Sequence, residues 1–161
     1  MDKIKPLNIE GLNIRTSDGR KVFGFLLSEN FSSLNNNFDE PVEIINYIRN
    51  GIPSKAIHNV LENTGVSHAQ LSNILHINNL ELNQYSEQEK LSTEQSNLLY
   101  EFTRLYVRGL DILGDKQTVD KWLSRPNLAL GEKTPLALLD TIEGFRLVDN
   151  LLAQVAYGFY S

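Results

Sequence analysis

Ser92-Thr93-Glu94-Gln95 precedes Leu98, Leu99, Phe102, Leu105, Tyr106 and Leu113, which recur mostly at three- and four-residue spacing. That spacing places them along one side of a helix. Ser at the N-cap with Gln three positions on is a capping box, which fixes where the helix starts. A long helix with such a stripe needs other elements packed against it. The same punctuation recurs along the chain. Ser67-His68-Ala69-Gln70 is a second capping box, opening a short helix with Leu71, Ile74 and Leu75. Asp115 caps a helix reaching Trp122. Thr134-Pro135 supplies a cap and a first-turn proline ahead of the last long helix. Upstream, Asp39 is read as the N-cap of a helix with Val42, Ile45 and Ile48 on one face, ending at Asn50-Gly51. Pro53 opens the next helix, whose stripe is Ala56, Ile57, Val60 and Leu61 and which stops near Gly65. From residue 39 onward the reading is an all-α domain of six or seven helices.

The last helix carries Leu138, Ile142, Phe145, Leu152 and Val155 on one side and Leu147 and Leu151 on a second, with Val148 between. A helix this apolar is expected to bury more than one face, the second against a symmetry mate or a partner. Trp122 is expected in the core between the two long helices.

The first 38 residues read differently. Asn13–Thr16 and Lys21–Leu27 flank Ser17-Asp18-Gly19-Arg20, and Asp-Gly between apolar runs signals a β-hairpin. Ser32 to Asn37 reads as a linker. The expected division is therefore an N-terminal extension, hairpin or flexible, over 1–38, a helix-turn-helix-like region over 39–92, and a C-terminal helical region over 93–161.

Composition removes several functions. With a net charge of −5 the chain has no overall attraction to nucleic acid, so such binding needs a local patch. Cysteine is absent, which excludes thiol nucleophiles, disulfides and Cys-based metal sites. The start lacks a signal-peptide core, and no apolar run approaches a membrane span. A cytoplasmic, non-membrane protein is expected.

Catalytic patterns are not evident. His58, His68 and His76 lack zinc-protease spacing. Asp111 with Asp115, and Asp140 with Glu143, are carboxylate pairs, but cap and first-turn positions explain them better than acid/base work. No P-loop, Rossmann fingerprint or nucleophile elbow occurs. Neither an enzyme nor a cofactor or metal requirement is expected.

Ser67 to about Glu89 has the order of a helix-turn-helix, with a turn at Ile77-Asn78-Asn79 and a second helix from Leu80 to about Glu89. Ser67, Gln70, Asn78, Asn79, Asn83 and Gln84 are the candidate base-reading residues, because Asn and Gln pair with adenine. The charge argues against that use: from Ile77 to Tyr100 there are four glutamates against one lysine, a net of −3, which phosphates repel. At the other end Tyr157-Gly158-Phe159-Tyr160-Ser161 joins aromatic anchor types to a helix-breaking glycine. Docking of that segment is expected.

These residues together resemble a known family. The order helix-turn-helix, long helix, W-L-x-x-P-N-x-x-L-G-x-x-T-P-L-x-L-L-D-T-x-x-G from Trp122 to Gly144, long helix and aromatic tail is similar to the Xre/MbcA/ParS-type antitoxins of RES-domain toxins. The resemblance covers roughly Asp39 to Ser161. It implies an all-α homodimer that binds a cognate RES-domain toxin which consumes NAD. It also implies that Tyr157, Gly158, Phe159, Tyr160 and Ser161 lie over the toxin's NAD pocket and block it. Such proteins commonly repress their own operon through the helix-turn-helix. Here the chain departs from the pattern, carrying Asn, Gln and Glu where members tend to carry Arg or Lys.

Overall fold

The computed structural model describes residues 18–28, 34–86 and 89–158. Among them eight α-helices follow one another: α1 (Asp18–Leu27), α2 (Pro41–Asn50), α3 (Lys55–Asn63), α4 (His68–Leu75), α5 (Asn79–Gln84), α6 (Thr93–Leu113), α7 (Lys116–Ser124) and α8 (Ile142–Ala156). The all-α reading holds, with seven of these helices after residue 39. No described helix is long and apolar enough to cross a membrane.

The capping box forms as its residues dictate. Ser92 Oγ accepts the Gln95 amide at 3.1 Å and Gln95 Oε1 accepts the Ser92 amide at 3.1 Å. From this start α6 runs through the centre of the molecule, and α1, α2, α4, α7 and α8 all pack on it. Leu99, Phe102, Leu105 and Tyr106 are buried along it. Each such side chain contributes about 1.5–3 kcal/mol by leaving water. Ser96 and Thr103 are also buried, and neither is orphaned. Ser96 Oγ accepts the Ile52 amide at 2.8 Å, and the Thr103 hydroxyl donates to the Leu99 carbonyl at 2.8 Å.

Four expectations are corrected. Lys21–Leu27 is not a strand but part of α1, whose buried residues Val22, Phe23, Leu26 and Leu27 recur with helical spacing. Asp-Gly misled because Gly19 serves close approach rather than a turn: a Cβ there would lie 2.3 Å from the Phe38 carbonyl oxygen. Phe23 stacks on Phe38 at 4.2 Å between ring centroids, and Tyr47 meets both rings edge-on. The other half of the expected hairpin, Asn13–Thr16, lies outside the described residues.

Second, Glu40 rather than Asp39 stands at the N-cap of α2, because Pro41 takes the first helical position. The buried face of the helix also differs from the expected one. Ile44, Tyr47 and Ile48 face inward, whereas Val42 and Ile45 are exposed. In the same way Pro53 precedes α3 instead of entering it. Pro53 bridges Lys90, and Ser54 is the N-cap.

Third, Thr134-Pro135 opens a 3-10 helix over Pro135–Leu138, not the last long helix. The Thr134 hydroxyl accepts the Ala137 amide at 3.2 Å. The chain then reverses, and Thr141 caps α8 by accepting the Gly144 amide at 2.9 Å. Gly144 sits so close to the preceding turn that a Cβ would lie 1.6 Å from the Leu138 carbonyl oxygen. Asp140 therefore precedes the helix. Within the chain α8 buries one face: Gly144, Phe145, Val148, Leu151 and Leu152.

Fourth, Trp122 is half-buried, packing on the core from its edge rather than filling it. Beyond it Asn127 holds a tight loop. Its side-chain oxygen accepts the Ala129 amide at 2.9 Å, and its own amide donates to the Lys133 carbonyl at 3.0 Å.

Candidate functional site

Two surfaces carry the candidate residues. The first is the outer flank of α8. Its inner face is fixed to α6 by apolar burial and by an ion pair, Arg108 to Asp149 at 2.6 Å, both side chains about one quarter exposed. Because the inner face is satisfied, the outer apolar residues have nothing within the described residues to cover them. Ile142 is 72% exposed, Leu147 47% and Tyr157 78%. The helix closes through the Tyr157 amide on the Ala153 carbonyl at 3.1 Å and the Gly158 amide on Val155 at 3.1 Å. Gly158 then takes φ +73°, the left-handed region in which a side chain is strained. Tyr157 thus stands in solvent at the point where the chain leaves the helix. Phe159, Tyr160 and Ser161 lie outside the described residues.

Between α6 and α8 lies a cleft of about 520 Å³, lined among others by Glu101, Arg104, Ile142, Phe145 and Arg146. Its two arginines are already paired, Arg104 with Glu101 at 3.0 Å and Arg146 with Glu143 at 2.9 Å. Of the carboxylates named from sequence, three have partners elsewhere, Glu143 on Arg146 among them. Asp111 bridges Lys21 at 3.2 Å, and Asp115 accepts the Thr118 amide at 2.8 Å, which holds its carboxyl below the usual range. Among the described residues no group of three His, Asp or Glu is placed to hold a metal ion.

The second surface is the helix-turn-helix-like region. The Ser67 capping box forms: Ser67 Oγ accepts the Gln70 amide at 3.2 Å, and Gln70 Oε1 accepts the Ser67 amide at 2.9 Å. Asn78 Oδ1 accepts the Glu81 amide at 2.8 Å. Three of the six candidate base readers are therefore engaged in caps. Asn79, Asn83 and Gln84 are exposed on α5. That helix ends at Gln84, well short of Glu89, so it is little more than one turn and a half.

A better-formed pair lies one helix earlier. α3 and α4 are joined by Thr64-Gly65-Val66-Ser67, a short glycine-containing turn of the kind that joins such helices. The exposed residues of α4 are His68, Ala69, Gln70 and Asn73, with no carboxylate on the helix. Ser67 and Gln70, named from the sequence, lie on this helix; Gly65, read there only as a helix stop, is the turn that sets α4 against α3.

The two regions are joined by specific contacts. Asp120 of α7 accepts the Gly65 amide at 2.9 Å and the Tyr106 hydroxyl at 2.8 Å, and its other oxygen meets Lys116 at 3.0 Å. His76, which ends α4 at φ +55°, donates from Nε2 to the Asp140 carbonyl at 2.8 Å. His76 is thus an exposed helix-capping residue that also ties α4 to the segment before α8.

The described helices run as a helix-turn-helix-like unit, a long central helix and a C-terminal helical segment. Known proteins agree with it. Residues 43–104 match the antitoxin Xre-like helix-turn-helix domain, and residues 108–158 match the antitoxin Xre/MbcA/ParS C-terminal toxin-binding domain. An "Antitoxin Xre" of Photorhabdus laumondii subsp. laumondii is 31% identical over 93 residues, 55% of this chain and 63% of that protein. A "Prs ADP-ribosylating antitoxin" of Sphingobium sp. is 26% identical over 131 residues, 75% of this chain and 82% of that protein. An "Antitoxin Xre" of Yersinia enterocolitica is 30% identical over 73 residues, 45% of this chain and 49% of that protein. The matched stretch thus spans less than two thirds of either Xre antitoxin. The chain belongs to the Xre/MbcA/ParS-type antitoxins.

Proposed function

We propose that this protein neutralises a RES-domain, NAD-consuming toxin by steric occlusion, with Tyr157, Gly158, Phe159, Tyr160 and Ser161 laid over the toxin's NAD pocket. The observation that carries the reading is the exposed apolar flank of α8 leading to a solvent-standing Tyr157 at a left-handed glycine. Tyrosine and phenylalanine are efficient anchors because they bury large area with few rotatable bonds. One relative's name couples antitoxin with ADP-ribosylation, a reaction whose donor is NAD, which favours an NAD-using toxin. On this reading the chain acts by binding rather than turnover. It works in the cytoplasm as a homodimer within the toxin complex, with 39–92 as the helix-turn-helix-like region and 93–161 as the toxin-binding region. Co-expression with the toxin tests it. A chain lacking Tyr157 to Ser161 is expected to leave cells unprotected, and full protection by the truncated chain would overturn the mechanism.

A second activity, repression of its own operon, is favoured by the carboxylate-free outer face of α4. A gel shift on the operon's promoter with a salt titration tests it. Affinity that falls steeply with salt supports it. A tight toxin complex with no promoter shift would instead mark an antitoxin that has kept the fold without DNA binding.

A further inference from the structure

Thr118, Lys121, Trp122 and Arg125 fall at i, i+3, i+4 and i+7 along α7 and its C-terminal end, so they form one stripe. With Pro126 and Asn127 they line an open slot of about 350 Å³. The opposite side of α7 is anchored: Val119 and Leu123 are buried, and Asp120 holds the Gly65 turn. The slot is therefore a pre-formed surface on a fixed helix. The Trp122 indole and the Pro126 ring give it apolar walls, and the Lys121 and Arg125 side chains stand exposed beside them. No carboxylate lines it. Asp115, at the far end of α7, feels the charge of Lys121, but neither Lys121 nor Arg125 forms a salt bridge among the described residues. In a chain of net charge −5, two adjacent uncommitted cations around an indole are set apart from their surroundings.

We infer that this slot receives an acidic side chain, backed by an apolar one, from the toxin. This rests on the antitoxin reading and adds to it a contact separate from the C-terminal tail. A guanidinium meets a carboxylate through two parallel hydrogen bonds, and an indole beside it excludes water from that pair. Trp and Arg are also the residue types that dominate interface energetics. A nucleic-acid phosphate would satisfy the same two cations. The apolar walls, and the position of the slot inside the segment matching a toxin-binding domain, favour a protein partner.

Trp122 is the only tryptophan in the chain, so 5-fluorotryptophan labels this slot alone. The probe is a purified RES-domain toxin, added to the full-length labelled chain. The Trp122 fluorine resonance is expected to shift on binding. The double variant Lys121→Glu/Arg125→Glu is expected to bind about tenfold more weakly or worse, with a flatter salt dependence and an unchanged melting curve. Lys55→Glu, an exposed reversal on α3, is expected to bind as the wild type does. An unmoved resonance with wild-type affinity in the double variant overturns the inference. So does a loss confined to promoter DNA with toxin affinity intact. If the slot variants bind normally while tail deletion frees the toxin, the slot falls and the proposed function stands. If the unaltered chain does not bind the toxin, both fall.

Discussion

Asp120 shows how one side chain fixes the relation between the two halves of the molecule. Its carboxylate gathers the Gly65 amide, the Tyr106 hydroxyl and the Lys116 ammonium. Burial pushes its carboxyl pKa up, but the three donors outweigh burial and hold it below its ordinary value of 3.8. Tyr106 responds in the opposite sense: burial, then its bond to Asp120, pushes its phenol up, so it remains a neutral donor. Asp120→Ala leaves those donors unmet and is expected to cost about 2 kcal/mol. Asp120→Asn keeps an acceptor and is expected to cost less. Urea unfolding distinguishes them. Because the folded-state pKa is depressed, the Asp120 contribution is complete above pH about 4 and is lost as pH falls through the folded value. Acid titration of the unfolding free energy is expected to show this loss in the wild type and to lack it in Asp120→Asn. None of this was legible in the sequence, since Asp120 lies 55 residues from Gly65 and 14 from Tyr106 and reads as an ordinary helix-surface acid.

At the scale of elements, the signals that survived are those in which a side chain meets its own backbone. Ser67 with Gln70, Ser92 with Gln95, and Asp115 with Thr118 all formed as read, because capping is decided within four residues. The misreadings arose where distant chain decided. Gly19 is a contact point for Phe38, so it belongs to packing rather than to a local turn. The buried face of α2 follows from the aromatic cluster of Phe23, Phe38 and Tyr47, and Phe38 carried no periodic signal of its own. Gly144→Ala is expected to push α8 off the preceding turn and destabilise by about 3 kcal/mol, lowering Tm by about 10 °C. Differential scanning calorimetry checks this, and an unchanged Tm would show that the close approach relaxes freely. The Arg108–Asp149 pair joins α6 to α8 with both side chains about one quarter exposed. A double-mutant cycle with alanine at both positions is expected to give a coupling of about 1 kcal/mol, and no coupling would mean that apolar packing alone holds α8.

At the scale of the whole molecule, helix order and the Trp122–Gly144 block carried the family, and both are written along the chain. The division of labour on the surface was less legible. The absence of carboxylates on α4 is written in the sequence, but its pairing with α3 through the Gly65 turn is a matter of three-dimensional placement. The slot beside Trp122 exists because that residue packs at the edge of the core instead of filling it, which its sequence position does not disclose. The exposed flank of α8 departs from the second stripe read in the sequence: Leu147 is exposed but Leu151 is buried, and Ile142, read on the inner side, is exposed; the flank leads to the segment on which the proposed neutralisation rests. NAD turnover by the purified toxin is the most direct measurement of that claim. Added in stoichiometric amount, the full-length chain is expected to abolish turnover, whereas the chain lacking Tyr157 to Ser161 is expected to bind the toxin and leave most of its turnover intact. A truncated chain that binds and still silences the toxin would contradict the account.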